Sequence, residues 1–115
     1  MSKDINFVYL FDFYKDMLTD KQAAAIDLYY NEDLSLAEIS DQLGITRQGV
    51  RDNIKRAEQV MLNLEDKIGA ANRHRQNFDD LKLAVDKLRL LKDKTEYKEE
   101  CEDIINRIEG VINGI

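Results

Sequence analysis

No proline occurs anywhere in the 115 residues of the chain, and only five residues are glycine. Proline terminates or kinks helices because it lacks a backbone N–H and its ring clashes with the preceding turn. A chain of this length with average composition would contain roughly six prolines. Long helices can therefore run without interruption, and folds built from many strands and tight turns are disfavoured.

The composition is that of a folded helical protein with an acidic balance. Charged residues make up 35% of the chain and hydrophobic residues 43%, whereas disordered chains combine low hydrophobicity with high net charge. Seventeen basic and 23 acidic residues give a net charge of -6. Because this is the wrong sign for general attraction to phosphates, any contact with nucleic acid must be local.

The sequence predicts a cytoplasmic protein without a membrane span. No stretch reaches the roughly 18 apolar residues needed to cross a bilayer, and the first residues lack the basic and apolar regions of a signal peptide. The single cysteine, Cys101, cannot form a disulfide within the chain, which suits a reducing compartment.

The N-terminal 34 residues predict two helices. The first carries an aromatic and aliphatic stripe at steps of three and four residues, which is typical of a buried helix face. Thr19 and Gln22 have the spacing of a capping box that would open the second helix, and Asn31 to Asp33 would end it. The stripe of the first helix comprises Phe7, Leu10, Phe11, Tyr14 and Leu18.

Two further helices are predicted between Ser35 and Ile68. Ser35 and Glu38 form a second capping pair before a short helix, and Gly44 stands where that helix would need a left-handed residue. Thr46 is a good N-cap for a long amphipathic helix. The apolar face of the long helix comprises Val50, Ile54, Ala57, Met61, Leu64 and Ile68.

The residues after Gly69 predict a C-terminal helical hairpin or arm. Glycine in a helix costs only about 1 kcal/mol relative to alanine, so residues 69–72 allow a kink, a turn or a continuous helix. The two stripes that follow are too short to establish a coiled coil. They would either pack on the N-terminal helices or form a homodimer. The stripes are Phe78, Leu81, Val85, Leu88 and Leu91, then Cys101, Ile104, Ile108, Val111 and Ile115.

The segment from Ser35 to Arg51 has the organisation of a helix-turn-helix. A short capped helix is followed by a glycine turn and an apolar residue, and a capped second helix begins with polar and basic side chains. Ala37 and Ser40 are small enough to let the two helices approach closely. The predicted fold is therefore all-α, with residues 1–69 as a helical part containing the helix-turn-helix at about 35–67, and residues 70–115 as the arm.

The stretch LSLAEISDQLGITRQGVRDNIKRAEQVM resembles the C-terminal DNA-binding region of bacterial sigma factors. The whole chain resembles the YlxM family, most strongly from Leu18 to Lys67. That family comprises small helix-turn-helix proteins of Gram-positive bacteria whose genes lie beside those of the signal recognition particle and its receptor. The resemblance implies a regulatory role in that pathway, with the particle's RNA or proteins as partners.

The face of the long helix opposite Val50 and Ile54 is the predicted nucleic-acid site. Glutamine can pair with adenine, and arginine or lysine with guanine or phosphate. Asp52 lies at the centre of this face, where it would repel phosphates, accept from cytosine or pair with Arg56. The predicted binding residues are Arg47, Gln48, Arg51, Lys55 and Arg56.

We find no pattern of catalytic residues and expect no enzyme, cofactor or metal site. His74 is the one histidine and Cys101 the one cysteine, so a structural zinc site lacks ligands. Neighbouring carboxylates such as Asp79 and Asp80 point apart on a helix. Three functions stay open: nucleic-acid binding in the signal recognition particle pathway, a dimeric transcription regulator, and a protein-interaction adaptor.

Overall fold

The computed structural model describes residues 3–114 and confirms the all-α fold, with no strand in that range. The predicted contribution of Ile115 to the last stripe lies outside the described residues. No helix among the residues described is long and apolar enough to cross a membrane. The helices are α1 (Asn6–Tyr14), α2 (Asp20–Ile26), α3 (Leu36–Leu43), α4 (Arg47–Ile68), α5 (Ala70–Lys92) and α6 (Lys98–Gly114).

The helix starts follow the predicted capping signals. Thr19 and Gln22 form a full capping box at α2, and Ser35 and Glu38 form another at α3. The backbone and side-chain hydrogen bonds from Ser35 lower the pKa of the Glu38 carboxyl below its ordinary value. These boundaries are set within three residues of each cap, because the cap side chain satisfies an N–H group that has no partner in the helix.

The first helix is shorter than its apolar stripe. It ends at Tyr14, a 3₁₀ turn covers Lys15–Met17, and Leu18 is extended. Leu18 is nevertheless buried, so the stripe correctly marks the core while exceeding the helix. After α2 the chain continues in a wide π turn, Asp27–Asn31.

The core of the first compact unit, which extends to Ala71, is organised around α4. Helices α1, α2 and α3 all pack against it. The buried face of α4 is the predicted one from Val50 to Met61, with Val50, Ile54, Ala57 and Met61 fully inaccessible to solvent, but the prediction is wrong at Ile68, which is 42% exposed. The rest of this buried cluster is Leu10, Phe11, Tyr14, Leu18, Ala25, Ile26, Tyr29, Ile39 and Ala71.

A set of hydrogen bonds, here called the Glu65 clamp, fixes the turn between α4 and α5. Gly69 ends α4 in the left-handed conformation, with φ of 64°, which answers the question of helix continuity. Glu65 Oε1 accepts from the Tyr14 hydroxyl at 2.7 Å and from the Ala71 backbone N–H at 3.0 Å. Burial, and then the hydrogen bond and charge of Glu65, raise the pKa of Tyr14.

The second compact unit begins at Asn72 and is a hairpin of α5 and α6. Ion pairs join Arg89 to Glu109 and Lys92 to Glu102 across the two helices. The hydrogen bond to Lys92 lowers the pKa of Glu102, and the pKa of Lys92 is correspondingly raised. His74 is half-buried in α5, with its ring stacked on that of Phe78.

The predicted apolar face of α6 is wrong by one residue at two positions, 104 and 111. Ile105 is 1% exposed, whereas Ile104 is 44% and Val111 56% exposed. The buried face thus runs through Cys101 and Ile105. Because the sequence places two apolar residues side by side at 104–105 and at 111–112, steps of three and four fit either alternative equally well.

Two glycines with empty space around them should respond oppositely to alanine. A Cβ at Gly44 or at Gly110 would meet no atom within 4 Å, but Gly44 has φ of +67° while Gly110 lies inside α6. Gly44→Ala should lose about 1–2 kcal/mol of stability through left-handed strain, and Gly110→Ala should gain about 0.5–1 kcal/mol. Urea denaturation measures both; the same sign for both would contradict this account.

Candidate nucleic-acid interface

The helix-turn-helix is held together by polar contacts within the turn. Gly44 takes the left-handed conformation at the end of α3, and Thr46 caps α4 by accepting from the Gly49 N–H at 3.0 Å. A Cβ at Gly49 would lie 3.2 Å from the Thr46 hydroxyl, so a side chain there would crowd the cap. These contacts fix where the exposed face of α4 begins.

Ser40 has a role that its small size did not reveal. Its hydroxyl donates to the backbone carbonyl of Ile45, so it bridges the turn as well as permitting close helix packing. Serine side chains often make such local contacts with the backbone, yet the acceptor five residues later depends on the turn geometry and could not be predicted from the sequence. Val50 is fully buried at the start of α4, and Leu43 and Ile45 are half-buried beside the turn.

All five predicted binding residues lie on the first three turns of α4. Arg51 is partly buried, whereas Arg47, Gln48, Lys55 and Arg56 are exposed. Since residues three and four apart share a helix face, Gln48, Arg51, Asp52 and Lys55 form a continuous surface. We call this surface, with Arg47 and Arg56 at its edges, the α4 face.

A cleft of about 440 Å³ lies between the start of α3 and the start of α4. It is lined by Ser35, Leu36 and Ala37 on one side and by Arg47, Gln48 and Arg51 on the other. The first N–H groups of a helix have no acceptor within it and carry partial positive charge. The cleft therefore brings two arginines beside the N-terminal turn of α3. Because Ser35 already accepts from the Glu38 N–H, the N–H groups of Leu36 and Ala37 are the backbone donors that suit an anionic oxygen.

Asp52 is engaged by a neighbour on the α4 face. Its Oδ1 accepts from the Gln48 side-chain amide at 2.9 Å. The ion pair with Arg56, which the sequence also allowed, is not found among the ion pairs of residues 3–114. The Gln48 amide and the Asp52 carboxylate thus satisfy each other. Arg56 is left available at the edge of the face.

One acidic side chain near the face is held by the core. Glu58 accepts a hydrogen bond from the Tyr30 hydroxyl at 2.7 Å, and the Tyr30 ring lies 5.8 Å from that of Phe7. Burial, followed by the hydrogen bond and charge of Glu58, raises the pKa of Tyr30 well above its ordinary value. Finding this partner requires the tertiary structure, because 28 residues separate the two.

The charge of the α4 face contrasts with that of the N-terminal helices. Between Arg47 and Arg56 four residues are basic and one is acidic, a balance of +3, whereas residues 1–34 contain three basic and seven acidic residues, a balance of -4. Exposed charges beyond about 10 Å are screened at moderate salt. Attraction of a phosphate to this face is therefore local and sensitive to ionic strength.

The comparisons with known proteins agree with this architecture. A family model described as "Putative helix-turn-helix protein, YlxM / p13 like" matches residues 1–110. A UPF0122 protein of Bacillus mycoides (strain KBAB4) is 39% identical over 110 residues, which are 95% of this chain and 96% of the relative. One from Clostridium acetobutylicum is 38% identical over 113 residues, covering 98% and 97%. The chain therefore belongs to the UPF0122 family of YlxM- and p13-like helix-turn-helix proteins.

Proposed function

We propose that this protein is a non-enzymatic regulatory protein that binds nucleic acid through the α4 face. The observation that carries the proposal is the cleft in which Arg47 and Arg51 lie beside the N-terminal turn of α3. A phosphate in this cleft would receive charged donors from α4 and backbone donors from α3. Phosphate contacts of this kind fix the register of a helix on the nucleic acid.

Base contacts would then come from the exposed positions of the same face. Lys55 can contact guanine or phosphate, and Gln48 can pair with adenine once its amide leaves Asp52. Asp52 disfavours phosphates and is suited to accept from cytosine N4. Binding by so few basic residues on an acidic chain would be moderate in affinity and steeply dependent on salt.

The finer proposal is a role in the signal recognition particle pathway. It rests on the resemblance to the YlxM family, whose genes neighbour those of the particle. The RNA of the particle is accordingly the first RNA to test, and its proteins are the first protein partners. A cytoplasmic location is part of the same proposal.

The test is fluorescence anisotropy of the full chain against signal recognition particle RNA and random duplex DNA, in a salt series through about 0.15 M. Replacing Arg51 and Lys55 together with alanine should weaken binding at least about tenfold and reduce the salt slope by about two, because two phosphate or base contacts are lost. Helix content by circular dichroism should not change.

A matched control separates the α4 face from net charge. Lys15 and Lys67 are exposed in the same compact unit and outside the face, so their double alanine variant makes the same change in charge. It should bind almost as the unaltered protein does. Equal loss in both variants, or unchanged binding by the first, would refute the assignment of the face.

The acidic balance of -4 over residues 1–34 favours a second candidate, a protein-interaction adaptor. A helix-turn-helix fold does not by itself determine function. Binding to neither nucleic acid at low salt, together with nuclease-resistant capture by the particle's proteins, would support the adaptor. A dimeric regulator of transcription would instead bind one duplex sequence, with its recognition helices about 34 Å apart.

A further inference from the structure

The hairpin of α5 and α6 leaves one of its sides apolar and open to solvent. The described part of this unit contains only three buried side chains, Val85, Cys101 and Ile105. On α5, Leu91 is 55% exposed, and on α6, Ile104 and Val111 are 44% and 56% exposed. Leu83 and Leu90, which are 53% and 66% exposed, lie on the face of α5 that is turned away from Val85. So many exposed aliphatic residues within one small unit require a structural explanation.

Leu91, Ile104 and Val111 lie on the same side of the hairpin. At 100° per residue, positions 84, 88 and 91 are rotated from Val85 around the axis of α5 by about 60–120°, all in one sense. Positions 104, 108 and 111 are rotated from Ile105 around the axis of α6 by the same angles and in the same sense. In an antiparallel pair of helices, equal rotation from the contact line places residues on one common side. We call the resulting surface the apolar side of the hairpin; it comprises Ala84, Leu88, Leu91, Ile104, Ile108 and Val111.

The ion pairs between the helices set the register of this surface. The pairs Arg89–Glu109 and Lys92–Glu102 show which residues of the two antiparallel helices lie at the same height. A residue of α5 lies opposite the residue of α6 for which the two residue numbers add up to about 196. Three rows of the apolar side follow from that register, each with one residue from either helix. The rows are Leu91 with Ile104, Leu88 with Ile108, and Ala84 with Val111.

The other side of the hairpin is charged. A cleft there has an apolar floor of Phe78, Val85 and Ile112, and its other lining residues are Lys82, Asp86 and Arg89 of α5 and Glu109 and Asn113 of α6. These charged and polar residues are rotated from Val85 and Ile105 in the sense opposite to the apolar side. They line one cleft, as equal rotation in an antiparallel pair of helices requires. The hairpin presents one charged side and one side whose three rows contain no charged residue.

We propose that a second copy of this chain covers the apolar side, so that two hairpins form an antiparallel four-helix bundle. Units of roughly 40 residues rarely stabilise themselves by a core alone and use disulfides, metals or oligomerisation. The single cysteine excludes a disulfide within the unit. A twofold axis would place the uncharged rows of one copy against those of the other. The two antiparallel helices of one hairpin would then pack on the two of its partner.

The three apolar rows, over residues 84–91 and 104–111, are only about 10 Å long, so a stable dimer needs contact along the rest of the hairpin as well. Helix α6 has 17 residues and is therefore about 25 Å long, and two helices side by side are about 20 Å wide. Two hairpins paired along the whole of α6 would cover roughly 500 Å² in each copy, or about 1,000 Å² in total, which is the size at which biological interfaces begin. This inference does not depend on nucleic-acid binding by the α4 face.

The test is sedimentation equilibrium of the full chain between about 1 and 100 μM. We expect a mass near twice the chain mass of 13.4 kDa. Leu91→Glu combined with Val111→Glu should raise the dimer dissociation constant at least about a hundredfold, because each charge would be buried without a partner. The helical circular dichroism signal of this variant should persist, since both side chains are exposed in the single chain.

The matched control is Leu83→Glu. Leu83 is 53% exposed and lies on the opposite face of α5 from Val85, so this variant should remain a dimer. A monomeric unaltered protein at 100 μM would overturn the proposal, as would a dimeric double variant or equal dissociation of the control. Anisotropy with nucleic acid is measured separately, so failure of either proposal leaves the other testable.

Discussion

Replacing Ile54 with alanine is expected to lower the free energy of unfolding by about 3–5 kcal/mol, near the top of the range for such core substitutions. Ile54 is inaccessible to solvent at the centre of the α4 core face, between Val50 and Ala57, which are also fully buried. Helices α1, α2 and α3 all pack on α4, so the cavity would be enclosed by several elements and could not close easily.

Urea denaturation followed by tyrosine fluorescence measures this effect in the right part of the chain. Four of the five tyrosines, all except Tyr97, lie in the first compact unit. Ile54→Val, which removes one methyl group, should cost about 0.5–1.5 kcal/mol. Leu62→Ala on the same helix, at a position that is 46% exposed, is the control and should cost much less. Equal losses at positions 54 and 62 would contradict the described core.

Replacing Glu65 with alanine is expected to cost about 2–4 kcal/mol, since an unsatisfied buried donor costs roughly 1–3 kcal/mol. The substitution removes the acceptor of the Glu65 clamp, which holds both the Tyr14 hydroxyl and the Ala71 N–H. Tyr14 is 4% and Ala71 1% exposed, so water cannot readily replace the lost carboxylate.

Two variants distinguish the clamp from a general effect of charge. Glu65→Gln retains an acceptor oxygen and should lose less stability than Glu65→Ala. Asp66→Ala removes a neighbouring exposed carboxylate and should change stability by no more than about 0.5 kcal/mol. Amide hydrogen exchange at Ala71 gives a local readout and should become faster in Glu65→Ala alone. Unchanged exchange at Ala71 would show that the clamp does not fix this turn.

The starts of α2, α3 and α4 could be predicted because their signals are local. The cap side chains of Thr19, Ser35 and Thr46 lie three residues from the N–H groups that they accept from. Gly44 and Gly69 both take the left-handed conformation at helix ends, but only Gly44 stood between two clear helical patterns. At Gly69 the stripes on either side left a continuous helix equally acceptable.

Features that depend on distant partners could not be predicted. The hydroxyl of Tyr14 finds Glu65 across 51 residues, and that of Tyr30 finds Glu58 across 28. The sequence identifies such tyrosines as core residues, but their polar partners depend on how α1 and α2 pack on α4. The buried face of α6 was predicted wrongly for another reason. Ile104 and Ile105 are equally apolar, and only the packing against α5 distinguishes them.

The predicted binding residues stand between these two cases. Their common position on α4 follows from helical spacing alone, which is why all five lie on its first three turns. The cleft beside them depends on the angle between α3 and α4. The pairing of Gln48 with Asp52 depends on the side-chain rotamers that this angle allows. A sequence pattern specifies neither quantity.

The capping boxes at Thr19 and Ser35 and the cap at Thr46 also affect how quickly the chain finds its fold. Each fixes the start of a helix without waiting for a distant segment to arrive, which reduces the conformations that must be searched. Helical proteins dominated by such nearby contacts fold within roughly microseconds to milliseconds. Helices α2, α3 and α4 should therefore form early, and the closure of α1, whose N-cap residue Ile5 provides no side-chain cap, onto α4 should be the slower event.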